Sequence, residues 1–257
     1  MDISFKNSVY RTLLVFSISS AGIVRAETAT IAIASNFGEV ARHLVDEFES
    51  ISGHDLTLVM GASGRFYAQI SNGAPFDAFL SADSDKPAEL IESGLALSDS
   101  VFTYAIGRLA LWSNDETLVK DNASALSISG SHKIAYANPR LAPYGKAALE
   151  VIKALSLFNV LEGKLVQGEN IAQTYQFVFT GNADLGFVAL SQILQGGTLG
   201  SGSAWVIPKS LHSPIRQNAV LLARARDNLA ANEFMRFLKM PASRSIIRSY
   251  GYETGDS

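Results

Sequence analysis

Four short segments of the chain combine small polar side chains or an open backbone with the predicted start of a helix. Each segment follows a β-type run, and the four are Ser35-Asn36, Ser63-Gly64, Pro143-Tyr144-Gly145 and Asn170-Ile171. The first N–H groups of a helix lack partners inside the helix and lie at the positive end of its dipole. Such positions bind anions without a cationic side chain. The four segments therefore predict a site that holds an anion by hydrogen-bond donors.

The residue types and their spacing do not indicate a catalytic site or a metal site. Ser63 lies in GASG (61–64), but a nucleophile elbow needs glycine at the position of Arg65, so a serine hydrolase using Ser63 is a remote alternative. The chain has no cysteine, which excludes disulfides, thiolate nucleophiles and thiolate metal sites. The chain has four histidines, and they do not have the close spacing of a metal site: His43, His54, His132 and His212. We expect a protein that is not an enzyme and has no cofactor, with His43 and His54 at the surface.

The elements that must position these segments alternate between strands and helices. The run ATIAIA (29–34) predicts a buried strand, and apolar residues at a 3.6-residue period predict the helix that follows it. Asn36 is a suitable N-cap for that helix, Glu39 can complete a capping box, and Gly53 ends it. The alternation continues through a strand at 55–60, a helix capped by Ser63 and ended by Gly73, and a strand at 76–81. This order predicts a parallel α/β sheet with right-handed crossovers.

The second half of the chain has the same alternation. Strands are predicted at 101–113, 133–137, 184–190 and 219–223, and helices at 144–155, from the N-cap Asn170 to Gly181, at 228–238 and at 242–250. In an open α/β sheet, ligands bind outside the carboxyl ends of the strands. The polar helix starts come directly after strands in both halves, so we expect them to face one ligand.

Composition and the first residues indicate a soluble, exported protein. The chain has 257 residues, of which 47% are apolar, and its formal charge is −3 without a long basic run. We therefore expect a globular protein with no nucleic-acid partner. Residues 1–26 have the layout of a cleavable secretory signal, with Lys6 and Arg11 before the apolar stretch 12–24 and small residues at Val24 and Ala26. The apolar stretch is shorter than the ~20 residues that span a bilayer as a helix.

Several longer stretches carry a family resemblance through their order and spacing. They are ASNF (34–37), GASG (61–64), QISNGAPFDAFLSAD (69–83), NPRLAPYGKAA (138–148) and ADLGFVA (183–189), with Phe237-Leu238, Pro241 and Tyr250-Gly251-Tyr252 near the end. Together they resemble the periplasmic molybdate-binding proteins of ABC importers over about residues 29–252. The resemblance implies a periplasmic, high-affinity receptor that captures molybdate and tungstate and delivers them to a membrane permease. We expect this receptor to be a monomer.

The resemblance also implies a fold and a set of ligand contacts. The fold is the two-lobed type II periplasmic-binding-protein arrangement, an α/β fold with the ligand cleft between the lobes. Lobe I then comprises residues 27–106 and 217–257, lobe II comprises 107–216, and the chain crosses near Tyr104–Ala110 and Ile215–Val220. The family's oxyanion contacts fall on Ser35, Asn36, Ser63, Tyr144 and Ile171, where Ile171 can contribute only its N–H.

Two positions depart from the family pattern or complicate it. Some members supply a tyrosine hydroxyl where this chain has Ala189, so the Asn36 amide or Tyr144 is a candidate replacement. Arg65 follows Ser63 by two residues, where a guanidinium could favour phosphate-like anions, although a solvent-facing position is the simpler expectation. The alternative function is therefore the same fold binding sulfate, phosphate or a phosphonate. A site that only donates hydrogen bonds suits molybdate, which is fully deprotonated at neutral pH.

Overall fold

The frame of the molecule is a pair of five-stranded sheets, seen in a computed structural model that describes residues 26–120, 122–127 and 132–255. The predicted secretory signal at 1–26 lies outside the described residues, except for Ala26. Within the described ranges, no helix is both long and apolar enough to cross a membrane.

The first sheet forms lobe I and has the strand order β2-β1-β3-β12-β4. Its strands are β1 (Thr28–Ala34), β2 (Asp55–Gly61), β3 (Ala78–Leu80), β4 (Phe102–Gly107) and β12 (Ile215–Leu221), and its helices are α1 (Gly38–Ser52), α2 (Ser63–Ser71), α3 (Asp85–Glu92), α7 (Leu229–Phe237) and α8 (Pro241–Ser249). Strand β1 pairs in parallel with β2 and β3, whereas β12 is antiparallel to β3 and β4. Alternate residues of β1 are buried on opposite faces, because Ile31 and Ile33 pack with α1 and α7 while Ala32 packs with α2.

The second sheet forms lobe II and has the strand order β11-β5-β8-β6-β7. Its strands are β5 (Leu109–Ser113), β6 (Ile134–Ala137), β7 (Leu165–Gly168), β8 (Leu185–Ala189) and β11 (Ser203–Val206); α4 (Pro143–Ala154), α5 (Phe158–Leu161), α6 (Ile171–Phe179) and the hairpin β9 (Leu194–Gln195) and β10 (Thr198–Leu199) complete the lobe. Strand β6 is parallel to β7 and β8, so the helices after β6 and β7 begin at the same edge. The residues of β5 alternate between the α4 face and the α6 face.

The chain passes from lobe I to lobe II between β4 and β5 and returns between β11 and β12. The run 101–113, predicted as one strand, is two strands that belong to different sheets and are separated by Arg108. Strand-type patterning on both sides of Gly107 and Arg108 does not by itself reveal this change of sheet, since both strands are largely buried. The predicted two-lobed α/β architecture is confirmed, whereas the lobe boundaries at 106/107 and 216/217 stay a prediction.

Two of the three predicted side-chain caps are wrong, and tertiary contacts explain why. Asn36 lies in a 3₁₀ turn (Ser35–Phe37), and its amide makes no cap because it bonds to residues far along the chain. Ser63 is the first residue of α2, and its hydroxyl accepts a hydrogen bond from Ala82 N. Asn170 is the N-cap of α6 as predicted, with its side chain accepting from Gln173 N at 3.0 Å.

The expectation of a surface position is correct for His43 and wrong for His54. His54 is 3% exposed, and its ring stacks on Phe48 at the edge of the lobe I core. Its Nδ1 accepts from Glu27 N at 3.1 Å, and its Nε2 lies 3.3 Å from Glu233 Oε2. The left-handed residue Gly53, with φ of 71°, ends α1 and turns the chain so that the imidazole points inward.

The end of the chain returns to the first crossing between the lobes. Glu253 forms an antiparallel bridge with Ile106 on β4, with N–O distances of 2.6 and 3.0 Å. Its carboxylate lies 2.8 Å from Lys209 Nζ and 3.1 Å from an Arg108 nitrogen, and these two cations hold the pKa of Glu253 below its usual range. Glu253 therefore binds the C-terminal segment to the end of β4, where the chain leaves lobe I.

A buried carboxylate holds three parts of lobe I together. Asp77 accepts from Thr30 N at 2.7 Å and pairs with Arg224 at 2.6 Å. We expect Asp77→Ala to lower the free energy of unfolding by about 2–3 kcal/mol, because a buried N–H loses its charged acceptor. Urea unfolding measures this loss. Glu39→Ala, which breaks an exposed pair with Arg42, is the control and should cost at most about 1 kcal/mol. Equal losses for both variants would contradict the assignment.

Candidate anion-binding site

The five predicted contact residues lie after the carboxyl ends of four strands, where lobes I and II meet. Ser35 and Asn36 follow β1, and Ser63 follows β2; Tyr144 follows β6, and Ile171 follows β7. Hydrogen bonds connect the two lobes around these positions. Gly64 N donates to Leu141 O at 2.8 Å, next to the start of α4, and Ser191 Oγ donates to Asn36 O at 3.1 Å.

The helix starts leave donors available on both sides of the cleft. Tyr144 and Ile171 lie in the first turns of α4 and α6, and Ser63 begins α2. Outside the helices themselves, no group in the described ranges accepts a hydrogen bond from the N–H of these three residues. Because Ser63 Oγ accepts from Ala82 N at 2.9 Å, its own O–H remains free to donate. Neutral donors from two lobes can therefore surround a small anion, and the identity of the contacts stays a prediction.

The side chains proposed to replace the absent tyrosine are both engaged elsewhere. Asn36 Nδ2 donates to Gln217 Oε1 and to the Tyr252 hydroxyl, each at 2.9 Å. The Tyr144 hydroxyl accepts from Gln217 Nε2 at 3.2 Å. Both hydrogens of the Asn36 amide are thus engaged, whereas the Tyr144 hydroxyl keeps its own hydrogen to donate, and a replacement for the missing contact stays a prediction. At Ala189 itself, the N–H donates to Gln192 Oε1 at 2.9 Å.

Arg65 lies at the surface, as predicted, and its guanidinium pairs with Glu169 of lobe II. Arg65 follows Ser63 in α2, and Glu169 directly precedes Asn170 and Ile171, so the ion pair joins the lobes at the rim of the site. Both side chains remain about half exposed. The pairing gives the guanidinium a carboxylate partner outside the ring of neutral donors.

A cavity of about 660 Å³ opens beside Ser35 and Asn36. Both lobes line it, with Arg42 and His43 from α1 on one side and Tyr175 from α6 on the other. It gives solvent a path to the 3₁₀ turn that carries the first two contact residues. Within the described part of the chain, no cluster of three or more His, Cys, Asp or Glu side chains is placed to hold a metal ion.

The inner wall of the site contains a buried group of polar side chains that the sequence analysis did not identify. This group, the hydroxyl–amide cluster, consists of Asn36, Tyr104, Tyr144, Ser191, Gln217 and Tyr252. Burial raises the pKa of Tyr252 to about 12 and raises the pKa values of Tyr104 and Tyr144 well above 10. The cluster is therefore uncharged at neutral pH. The sequence singled out Asn36 and Tyr144 as anion contacts and Tyr252 as part of the terminal family motif, but it gave no sign that these side chains bond to one another.

Comparisons with known proteins identify chains that are similar to this one. The model of the bacterial extracellular solute-binding proteins matches residues 29–253. A molybdate-binding protein of Rhodobacter capsulatus is 47% identical over 223 residues, 87% of each chain. One of Azotobacter vinelandii is 43% identical over 228 residues, covering 89% of this chain and 90% of the relative. A solved structure of the periplasmic molybdate-binding protein of Azotobacter vinelandii matches with a TM-score of 0.86 at 38% identity, covering 89% of this chain and 100% of that one.

The buried tyrosines predict a loss of stability at alkaline pH. The pKa of Tyr252 rises from 10 to about 12 on folding, so its stabilising contribution is complete below pH 10 and disappears as the pH rises towards 12. Tyr104 and Tyr144 shift in the same direction. We expect the melting temperature to fall steeply over this range, with a shallower fall in Tyr252→Phe. Scanning calorimetry as a function of pH measures both, and a melting temperature that stays constant up to pH 12 would contradict the prediction.

Proposed function

The chain belongs to the family of bacterial extracellular solute-binding proteins, and from that membership we propose that it captures molybdate, and tungstate with it, for an ABC importer. Its relatives at 43% and 47% identity are molybdate-binding proteins, which confirms the resemblance noted in the sequence. We propose further that the protein acts in the periplasm as a monomer, carries no cofactor, and presents its loaded form to a membrane permease.

One observation supports this function above the others: the cleft presents neutral donors from two lobes. Molybdate is a dianion without a proton at neutral pH, so every oxygen can accept. Each hydrogen bond to a charged partner contributes ~1.5–3 kcal/mol. About six of them, less the cost of desolvation and of closing the lobes, leave the ~8–12 kcal/mol of a micromolar-to-nanomolar receptor. A monoprotonated phosphate needs an acceptor for its proton, and the predicted donors offer none.

A panel of oxyanions tests the proposal directly. The melting temperature of the purified protein is compared in molybdate, tungstate, sulfate, phosphate and chromate at equal ionic strength. A ligand that binds only the folded state raises the melting temperature by mass action. We expect large increases with molybdate and tungstate. An increase with sulfate or phosphate instead would keep the fold and replace the ligand, and no increase with any anion would contradict the proposal.

Ser63 is the side chain that we expect to contribute most to binding. It is 1% exposed, and its hydroxyl hydrogen is free to donate to the anion. Ser63→Ala should weaken molybdate binding about 10- to 100-fold, because one charge-assisted hydrogen bond is lost. Titration calorimetry measures the change. The control is Ser71→Ala, at the exposed end of the same helix, which should bind like the wild type. Unchanged affinity in Ser63→Ala would remove this residue from the site.

The remaining alternative is another oxyanion, and the Arg65–Glu169 pair bears on it. If Glu169 holds the guanidinium away from the ligand, Glu169→Gln frees a cation that favours phosphate-like anions. We expect sulfate and phosphate to gain a few-fold in affinity relative to molybdate, in line with the modest strength of exposed ion pairs. Competition calorimetry measures the ratio, and the double variant Arg65→Gln/Glu169→Gln should restore it. An unchanged ratio in Glu169→Gln would show that Arg65 cannot reach the ligand.

A further inference from the structure

The hydroxyl–amide cluster joins lobe II to the turn that carries two of the predicted anion contacts. Resting on the function proposed above, we propose that Ser191 is a positioning residue whose bond to Asn36 forms only when the lobes close and determines how long the anion is retained. Ser191 is not itself one of the predicted anion contacts, and it acts on the anion through Asn36, which is one of them.

The geometry around Asn36 places three groups on one peptide segment. Asn36 O accepts from the Tyr252 hydroxyl at 2.8 Å and from Ser191 Oγ at 3.1 Å. Asn36 Nδ2 reaches Tyr252 and Gln217. Tyr252 and Gln217 lie in the C-terminal segment and on the lobe I strand β12, whereas Ser191 lies in the 3₁₀ turn that follows β8 in lobe II. Among these hydrogen bonds to Asn36, the one from Ser191 crosses between the lobes.

A β-bulge in lobe I prepares the cluster for this contact. Gln217 pairs with Ala105 and Asn218 pairs with Thr103, so Tyr104 is an extra residue on β4. A bulge redirects side chains locally. Here the Tyr104 hydroxyl donates to Gln217 Oε1 at 3.0 Å, so that both side chains occupy the same interior space. Residues of lobe I alone thereby hold Gln217 against Asn36.

A glycine on the same strand leaves room for lobe II to approach. A Cβ at Gly107 would lie 2.1 Å from the Tyr144 hydroxyl and 2.7 Å from Gln217 Nε2. Only glycine therefore allows the Tyr144–Gln217 hydrogen bond. Because Tyr144 lies in α4 of lobe II and Gln217 in β12 of lobe I, this bond of the cluster also crosses between the lobes. The close fit indicates that lobe II docks on the cluster in one defined position.

The burial of the cluster makes the Ser191 contact matter for the ligand. Asn36 is 3% exposed and Ser191 is 6% exposed, so their bond lies in a low-dielectric interior where a lost partner is costly. When the lobes separate, the bond breaks and water hydrates both groups. The open form therefore gains no stability from this bond. A contact present only in the closed form adds its free energy to any ligand that binds that form. Ser191 should therefore act on ligand dissociation and leave the ligand-free protein unaffected.

Ser191→Ala and Ser113→Ala form a matched pair of test variants. Ser113 is also a buried serine of lobe II, but its hydroxyl donates to Asp184 O at 2.7 Å within the same lobe. Titration calorimetry with molybdate, stopped-flow dissociation and ligand-free melting temperatures are measured for both. We expect Ser191→Ala to weaken binding about tenfold through faster dissociation, with a ligand-free melting temperature close to that of the wild type. Ser113→Ala should lower the melting temperature and leave the affinity unchanged.

The measurements distinguish a failure of the proposed function from a failure of the positioning role of Ser191. A wild-type protein that does not bind molybdate would overturn the proposed function. If the wild type binds and Ser191→Ala binds equally well, the positioning role is overturned and the function stands. A Ser191→Ala protein that loses ligand-free stability to the same extent as Ser113→Ala, with unchanged dissociation, would show a purely structural serine.

Discussion

The proposed function requires neutral donors that hold a dianion, and this requirement accounts for the arrangement of the protein. Backbone N–H groups are free at the first turn of a helix, and a single helix start offers few of them. Several helix starts must therefore converge, and parallel strands bring them to one edge of each sheet. Two sheets facing each other supply donors from opposite sides, and in the proposed site Ser63 and Tyr144 lie on these two sides. The crossings between the lobes, the cleft and the inner wall all follow from this requirement.

Charge is arranged in layers around the proposed site. The interior behind it is a group of hydroxyls and amides that stay neutral, because burial keeps the pKa of Tyr252 near 12 and those of Tyr104 and Tyr144 well above 10. Ion pairs occur further out, with Arg65 and Glu169 at the rim. Closing the lobes on a proton-free dianion then requires no proton uptake by these tyrosines.

The sequence predicted the parts of the fold that local physics determines. The periodicity of α1, the strand β1 and the cap at Asn170 needed only neighbouring residues, and the structure contains them. Asn36 failed as a cap because its amide bonds to Gln217 and Tyr252, which are 181 and 216 residues away. Partners at that separation leave no local pattern. The same limit hid the inward position of His54, whereas the crossing near residues 104–110 and the predicted contact residues came from a family resemblance.

The return of the C-terminal segment has a consequence for the order in which the protein matures. Residues 252 and 253 supply the hydroxyl bonded to Asn36 and the backbone bridge to Ile106, yet they come after every strand of both sheets. In a chain that emerges amino terminus first, these residues arrive after every strand of both sheets. Until then, the first crossing between the lobes lacks the backbone bridge between Ile106 and Glu253. A chain truncated just before Tyr252 would lose a buried member of the lobe I core, its ring contact with Phe37 and the bond that orients the first turn of the site.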